Sequence, residues 1–181
     1  RLLDSTAGKV LLQDGEGGGY TDVTKVSAST MKELRKRVQI VFQDPYSCLN
    51  PRLSVWELIA EPLIVNRVYR SRAEMRKRIR ELMSTVGLAE RLENSYPHEL
   101  DGGRRQRIGI ARSLALNPEF IVLDEPVSAL DVCIQAQILN LLNELQREFH
   151  YTYVFISHNL SVVKHVSDRI AVMYLGQVVE L

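Results

Sequence analysis

The chain has 181 residues, 45% hydrophobic and 25% charged, the profile of one globular domain rather than two. A formal net charge of +1 argues against a dedicated nucleic-acid binder, which carries a clear basic surplus. No run approaches the ~20 apolar residues that cross a bilayer. The opening Arg1-Leu2-Leu3-Asp4 lacks the charged-then-apolar order of a signal peptide. Any membrane connection is therefore expected to run through a partner. Cys48 and Cys133 are far apart and outside metal-ligand spacing, and read as free thiols of a reducing compartment. A first residue other than Met and a closing apolar run, Val178-Val179-Glu180-Leu181, read as cut ends, so a fragment is expected.

Along the chain, residues 9–13 read as a short strand after the turn signal Ser5-Thr6-Ala7-Gly8. The glycine-rich stretch 14–19 invites a phosphate-binding reading. A P-loop, however, needs Gly-Lys-Ser/Thr opening a helix, and Tyr20-Thr21-Asp22 follows instead, so a surface turn is expected. Residues 31–37 predict a short basic helix and 38–42 a strand of β-branched and aromatic residues. Residues 120–123 and 153–156 have the same strand character. Such continuous apolar runs suit a parallel sheet buried on both faces.

Between 45 and 100 the pattern becomes helical, over 55–64, 72–86 and a short piece near 88–92. Arg67, Arg70, Arg72, Arg76, Lys77, Arg78 and Arg80 crowd this insertion with only Glu74 opposing. A solvated helix face is the plain reading, and a contact with nucleic acid or lipid headgroups is the alternative. An amphipathic helix is predicted from Gly102 to about Leu116, stopping before Asn117-Pro118. In the next helix Ile134, Ile138, Leu142, Leu145 and Phe149 recur at three- and four-residue steps, one buried stripe. A hairpin around Gly176-Gln177 closes the chain.

The chemistry concentrates in two places. Phe120-Ile121-Val122-Leu123-Asp124-Glu125-Pro126 is an apolar strand that delivers two adjacent acids to the sheet's carboxyl edge, where open α/β sheets bind ligands. One acid suits a cation, and the other can polarise an attacking water as a general base. Leu100-Asp101-Gly102-Gly103-Arg104 opens a helix with two glycines. Glycines there let backbone N–H groups approach a phosphate, and the helix dipole favours the anion.

Taken together, the segment from Gly102 to Asp131 resembles the signature motif, Walker B strand and D-loop of ATP-binding-cassette (ABC) ATPases, in order. Val41-Phe42-Gln43-Asp44-Pro45 is similar to their Q-loop, and Ile156-Ser157-His158-Asn159-Leu160 to their switch-histidine loop. The stretches 43–52 and 130–137 resemble the ATPase subunits of oligopeptide, dipeptide and nickel importers, in which positions 48 and 133 are more often serine. The resemblance implies an α/β, P-loop NTPase-like (RecA-like) fold, a mainly parallel sheet with an inserted helical subdomain. Residues 1–45 and 106–181 would form the α/β core and 46–105 the insertion.

By the same resemblance the expected activity is ATP hydrolysis coupled to solute import, with peptides as the solute and ATP and Mg²⁺ as cofactors. Gln43 would reach Mg²⁺ and the attacking water, Asp124 would hold Mg²⁺, Glu125 would activate water and His158 would contact the γ-phosphate. Asp131 would lie across a dimer interface, and Gly102 and Gly103 would close over ATP bound by the opposite subunit. The implied partners are transmembrane permease subunits, a second ABC ATPase subunit and, indirectly, an extracytoplasmic solute-binding protein. No nucleic acid is expected, and the place is the cytoplasmic face of the cell membrane, peripherally. An ABC ATPase acting on nucleic acid or ribosomes, or a non-catalytic regulatory cassette, are the alternatives.

Two departures stand out. The family pattern places the P-loop just before Arg1, so residues 1–181 alone are expected to bind ATP poorly. Asp101 and Arg104 replace the usual Ser and Gln of the signature motif. As an N-cap Asp equals Ser. Beside a γ-phosphate, two negative charges ~4 Å apart repel by roughly 4 kcal/mol at an effective dielectric near 20. A compensating Asp101–Arg104 pair is therefore expected.

Overall fold

The computed structural model describes residues 5–15 and 17–181. The opening Arg1-Leu2-Leu3-Asp4, and Glu16 of the glycine-rich stretch, lie outside the described residues. The glycine-rich turn joins β1 (Leu11–Gln13) to β2 (Tyr20–Asp22) in an antiparallel pair. Gly18 is required there, because a Cβ would stand 1.7 Å from the Asp14 carbonyl oxygen. Ser27 caps α1 (Ala28–Arg37) by accepting from the Thr30 N–H, which starts the helix three residues before the basic stretch suggests.

β3 (Val38–Val41) follows directly, and then α2 (Pro45–Cys48), a short helix with no periodic signal in the sequence. Asp44 caps it and Pro45 opens it, the usual chemistry of a helix start. α3 (Val55–Val65) begins with a complete capping box between Ser54 and Glu57. α4 (Arg72–Thr85), capped by Ser71, carries the basic run.

That run is better balanced in space than in sequence. Arg80 pairs with Glu90 and Glu93, Arg78 with Glu81 and the Asn117 side chain, and the Arg72 guanidinium lies 5.7 Å from the centre of the Trp56 ring. α5 (Gly102–Leu114) precedes β4 (Phe120–Asp124), and α6 (Val132–Phe149) links β4 to β5 (Thr152–Ile156). α7 (Leu160–Val166) and the hairpin β6 (Val172–Tyr174) with β7 (Gln177–Glu180) complete the described chain.

β3, β4 and β5 form one parallel sheet in that order, with Val41 beside Leu123 and Asp124 beside Ile156. Of the two sheet faces expected to be buried, one is covered among the described residues. Val41, Ile121 and Leu123 enter the core, whereas Ile40, Val154 and Ile156 on the opposite face are each about four-tenths exposed or more. Among the described residues the packing is one-sided. Two α/β signals, apolar composition and strand propensity, do not reveal which face is covered.

One hydrophobic cluster joins the sheet to the helices between β3 and β4 and to α6: Val41, Ile121 and Leu123 pack in continuity with Leu58, Ile79, Met83 and Ile108, and with Leu142 of α6. α5 runs unbroken through positions 105 and 106, so the division there falls inside a helix. Arg37 ties the amino-terminal hairpin to the sheet. Its guanidinium grips Glu119 through two bonds of 2.9 Å and also reaches Asp14 and the Gln13 carbonyl. No helix among the described residues is long and apolar enough to cross a membrane.

Candidate active site

Parallel pairing places the ends of β3, β4 and β5 side by side, so the loops that leave them converge. Gln43 leaves β3, Asp124 ends β4 with Glu125 next, and His158 follows β5. The Gln43 Nε2 donates to Glu125 Oε2 at 2.9 Å, and His158 Nδ1 lies 2.9 Å from Glu125 Oε1. One carboxylate thus receives a neighbour on each oxygen. Residues separated by 82 and 33 positions meet at one point.

The backbone at Glu125 is as distinctive as its side chain. Its φ is +45°, a left-handed conformation that non-glycine residues seldom adopt. The Glu125 N–H donates to the Ile156 carbonyl at 3.0 Å, and the Glu125 carbonyl accepts from the Ser128 N–H and hydroxyl. These bonds hold the turn that aims the side chain across the strand ends. Sequence reading gave no sign of it, since nothing marks a strained Glu before Pro126.

The His158 hydrogen bond, aided by those from Ser128 and Gln43 and by the His158 charge, holds the Glu125 carboxyl below its ordinary value of 4.5. Glu125 is therefore ionised through the neutral range. Its side chain is 21% exposed and that of His158 74%, so the pair is reachable from solvent. With Nδ1 turned to Glu125, the imidazole Nε2 is the atom free to meet a ligand.

Among the described residues no group of three or more His, Cys, Asp or Glu side chains could hold a metal alone. Magnesium does not require one, since it takes one or two protein oxygens and completes its shell with phosphates and water. Asp124 supplies a carboxylate at the strand end. The Gln43 amide nitrogen is engaged with Glu125, which leaves its side-chain carbonyl oxygen without that engagement and able to meet a cation. This hard-oxygen pair fits Mg²⁺.

The start of α5 is a separate place. Asp101 caps the helix, its Oδ1 accepting from the Arg104 N–H at 2.7 Å, while its Oδ2 lies 3.4 Å from Arg104 Nε. The expected pair is present, on the surface, with side chains 58% and 48% exposed respectively. Gly102 and Gly103 face the α6 entry. A Cβ on Gly103 would stand 2.6 Å from Ile134 Cγ2, and one on Gly102 3.0 Å from Leu130 Cδ2. Close packing thus demands a glycine at 103 whatever ligand arrives. Asp131 caps α6 by accepting from the Ile134 N–H at 3.1 Å. The structure therefore groups Gln43, Asp124, Glu125 and His158 at the strand ends, and Asp101, Gly102, Gly103, Arg104 and Asp131 around two helix starts.

A family model for the ABC transporter matches residues 1–128. The chain belongs to the ABC transporter family. Over 181 residues it is 50% identical to the oligopeptide transport ATP-binding protein OppF of Bacillus subtilis, which covers all of this chain and 58% of that protein. It is 53% identical over 160 residues to OppF of Salmonella typhimurium, covering 88% of this chain and 48% of that one. The chain thus spans about half the length of these relatives.

Among solved structures, it resembles cbiO1 of Clostridium perfringens, part of the ABC transporter complex cbiONQ. The TM-score is 0.78 at 29% identity, over 91% of this chain and 65% of that one. An ATP-binding cassette solved as a dimer in a post-hydrolysis state with ADP and Pi superposes with a TM-score of 0.75 at 34% identity, over 88% and 68%. The ABC fold of this chain is accordingly a P-loop NTPase-like α/β core, with helices inserted between β3 and β4.

Proposed function

We propose that the protein is the ATP-hydrolysing subunit of an ABC importer that carries peptides. The observation that carries this reading is the Glu125 carboxylate, ionised and held between Gln43 and His158 at the ends of three parallel strands. The likeness to oligopeptide transport ATP-binding proteins supports the substrate class.

Glu125 orients and deprotonates the attacking water. Gln43 fixes one carboxylate oxygen and His158 the other, which leaves the lone pairs aimed outward at the water. His158 presents Nε2 to the γ-phosphate. Asp124 and the side-chain carbonyl of Gln43 would hold Mg²⁺, which would supply neutralising charge to the transferred phosphoryl group. The α5 start, with Asp101, Gly102, Gly103 and Arg104, serves ATP held by a second copy, and Asp131 stands at that interface. The dimeric relative with ADP and Pi supports this arrangement. We further read residues 1–45 and 106–181 as the α/β core and 46–105 as the helical subdomain.

The groove beside residues 43–50 supports a membrane partner. Phe42 is exposed there, and Pro62, Val65, Asn66 and Arg112 line the same cavity of about 670 Å³ as Phe42 and Cys48. Transmembrane permease subunits dock at this groove, which places the protein peripherally at the cytoplasmic face, with an extracytoplasmic solute-binding protein acting through the permease.

The test is Mg²⁺-dependent ATP hydrolysis by the full-length protein with and without Glu125→Gln. The variant should lose ~10²–10⁴-fold, the usual contribution of a general base. Hydrolysis at the parent rate would remove Glu125 from this role. Crosslinking from Cys48 to a permease subunit in membranes tests the groove.

A further inference from the structure

The short helix α2 has two tethers to α5, and they differ in kind. At its carboxyl end, Arg112 Nη1 donates to the Cys48 carbonyl at 3.3 Å while Nη2 pairs with Glu61 at 2.7 Å. A backbone carbonyl is the acceptor, so this tether does not depend on the side chain at 48. At its amino end the tether is a side-chain stack: the Arg105 guanidinium lies 5.1 Å from the centre of the Tyr46 ring. Beyond the ring, Arg105 attracts the Asp44 carboxylate that caps α2, so both of its interactions at this end act on the same helix start. Its Nη1 makes a long bond of 3.4 Å to the Pro97 carbonyl, and its Nε is buried without a hydrogen-bond partner. Tyr46 is 61% exposed, so the ring's service is not core packing.

Three residues before Tyr46 stands Gln43, whose side chain reaches Glu125. Between them Asp44 caps α2 by accepting from the Tyr46 N–H at 2.8 Å, so a shift of Tyr46 moves the cap and the residues ahead of it. We infer that Tyr46 and Arg105 are positioning residues for Gln43: their cation–π stack seats α2 on α5, and the seated α2 delivers the Gln43 amide to Glu125. The helix that begins with Gly102-Gly103 thereby sets how the water-activating carboxylate is held. This rests on the role given to Glu125 under the proposed function.

The stack needs a ring and a cation and does not need the phenol hydroxyl. In the full-length protein Tyr46→Leu should lower kcat for ATP hydrolysis about three- to fivefold, the shift that losing one partly exposed cation–π contact permits. KM for ATP should stay at the parent value, and the unfolding temperature should fall by no more than the ~2–4 °C that a contact of this size is worth. Tyr46→Phe should match the parent, and Arg105→Lys should retain most of the activity.

Because Tyr46 acts through Gln43, adding Tyr46→Leu to Gln43→Ala should cost nothing further. Additive losses, or Tyr46→Phe as poor as Tyr46→Leu, would overturn the inference. A second readout is independent of activity. The Gln43 side-chain amide resonance in a ¹⁵N spectrum should move with Tyr46→Leu and stay with Tyr46→Phe. A parent protein without Mg²⁺-dependent hydrolysis would refute the proposed function. An unmoved Gln43 resonance in Tyr46→Leu would refute the positioning role alone.

Discussion

The strand-end site and the start of α5 carry the most informative residues of the chain, and they are built in opposite ways. At the strand ends, Gln43, Glu125 and His158 come from three separate loops and meet because the sheet is parallel and in register. At the start of α5, Asp101 and Arg104 are three positions apart on one helical turn, and their meeting needs nothing beyond the helix. The first site is a product of tertiary structure and the second of local geometry. A non-local site should be sensitive to its scaffold and specific in its chemistry. A local pair on the surface should be tolerant, and weak in isolation.

The largest expected effect tests the first half of that contrast. Glu125→Gln should cost ~10²–10⁴-fold in ATP hydrolysis, whereas Arg104→Gln should leave basal hydrolysis far closer to the parent. Parallel kinetics on the two variants would measure the gap directly, and equal losses would erase the distinction drawn here.

Next comes packing. Gly103→Ala pushes a methyl group against Ile134 Cγ2, a branch close to the α6 backbone that has little room to yield. Overpacking of this kind costs about 1–3 kcal/mol. Gly102→Ala meets only the far end of the Leu130 side chain and should cost less than ~1 kcal/mol. Thermal unfolding of both variants would rank them. The opposite order would mean that the helix start is not seated on Ile134.

A smaller effect concerns protonation. The His158 bond is the first cause of the lowered Glu125 pKa, so the folded value lies below 4.5. A depressed carboxylate pKa contributes stability that is present above 4.5 and is lost as pH falls through the folded value. His158→Ala should move the Glu125 value upward toward 4.5, as read by NMR titration of the ¹³C-labelled carboxyl. An unchanged titration would show that Gln43 and Ser128 hold the charge without help.

The smallest expected effect belongs to the local pair. With both side chains about half exposed, the Asp101–Arg104 attraction in the isolated protein should be worth ~0–1 kcal/mol. Its consequence should appear only when a γ-phosphate approaches. Arg104→Gln should then impair ATP-driven dimerisation, and adding Asp101→Ser should restore most of it. A double-mutant cycle gives the coupling energy, and a value of zero would leave Asp101 as a plain helix cap.

Much of the secondary structure was legible because its signals are local. The runs at 38–42, 120–123 and 153–156 became β3, β4 and β5, and the apolar stripe of α6 buries Ile138, Leu142 and Leu145. The start of α5 was marked by Asp101, a side-chain oxygen placed to accept an amide hydrogen that the helix leaves unpaired, whereas the same service by Ser54 and Asp131 came to light only in the fold. Asp124-Glu125 and Gly102-Gly103 announced themselves as sequence motifs.

Other features depend on distance in space, and one-dimensional patterns do not encode them. Strand propensity is the same for a strand covered on one face or two, so the exposure of Val154 and Ile156 was invisible. The charge count around α4 missed Glu90 and Glu93, which the fold swings against Arg80. α2 has too few residues for a helical period to register. The left-handed backbone at Glu125 is held by Ile156 and Ser128 after the sheet has formed.

What the sequence by itself determined is therefore an inventory: which residue caps α5, which runs form strands, and which acids end β4. Each of these is decided by the backbone and its near neighbours, through capping bonds and the periodicity of apolar side chains. Only the tertiary structure decided that Gln43 and His158 flank Glu125, that Arg105 lies over Tyr46, and that Gly103 must lack a side chain. Those facts depend on sheet register and on which helix faces which strand. Both are settled by burying one shared core, whose contacts join residues far apart in the chain.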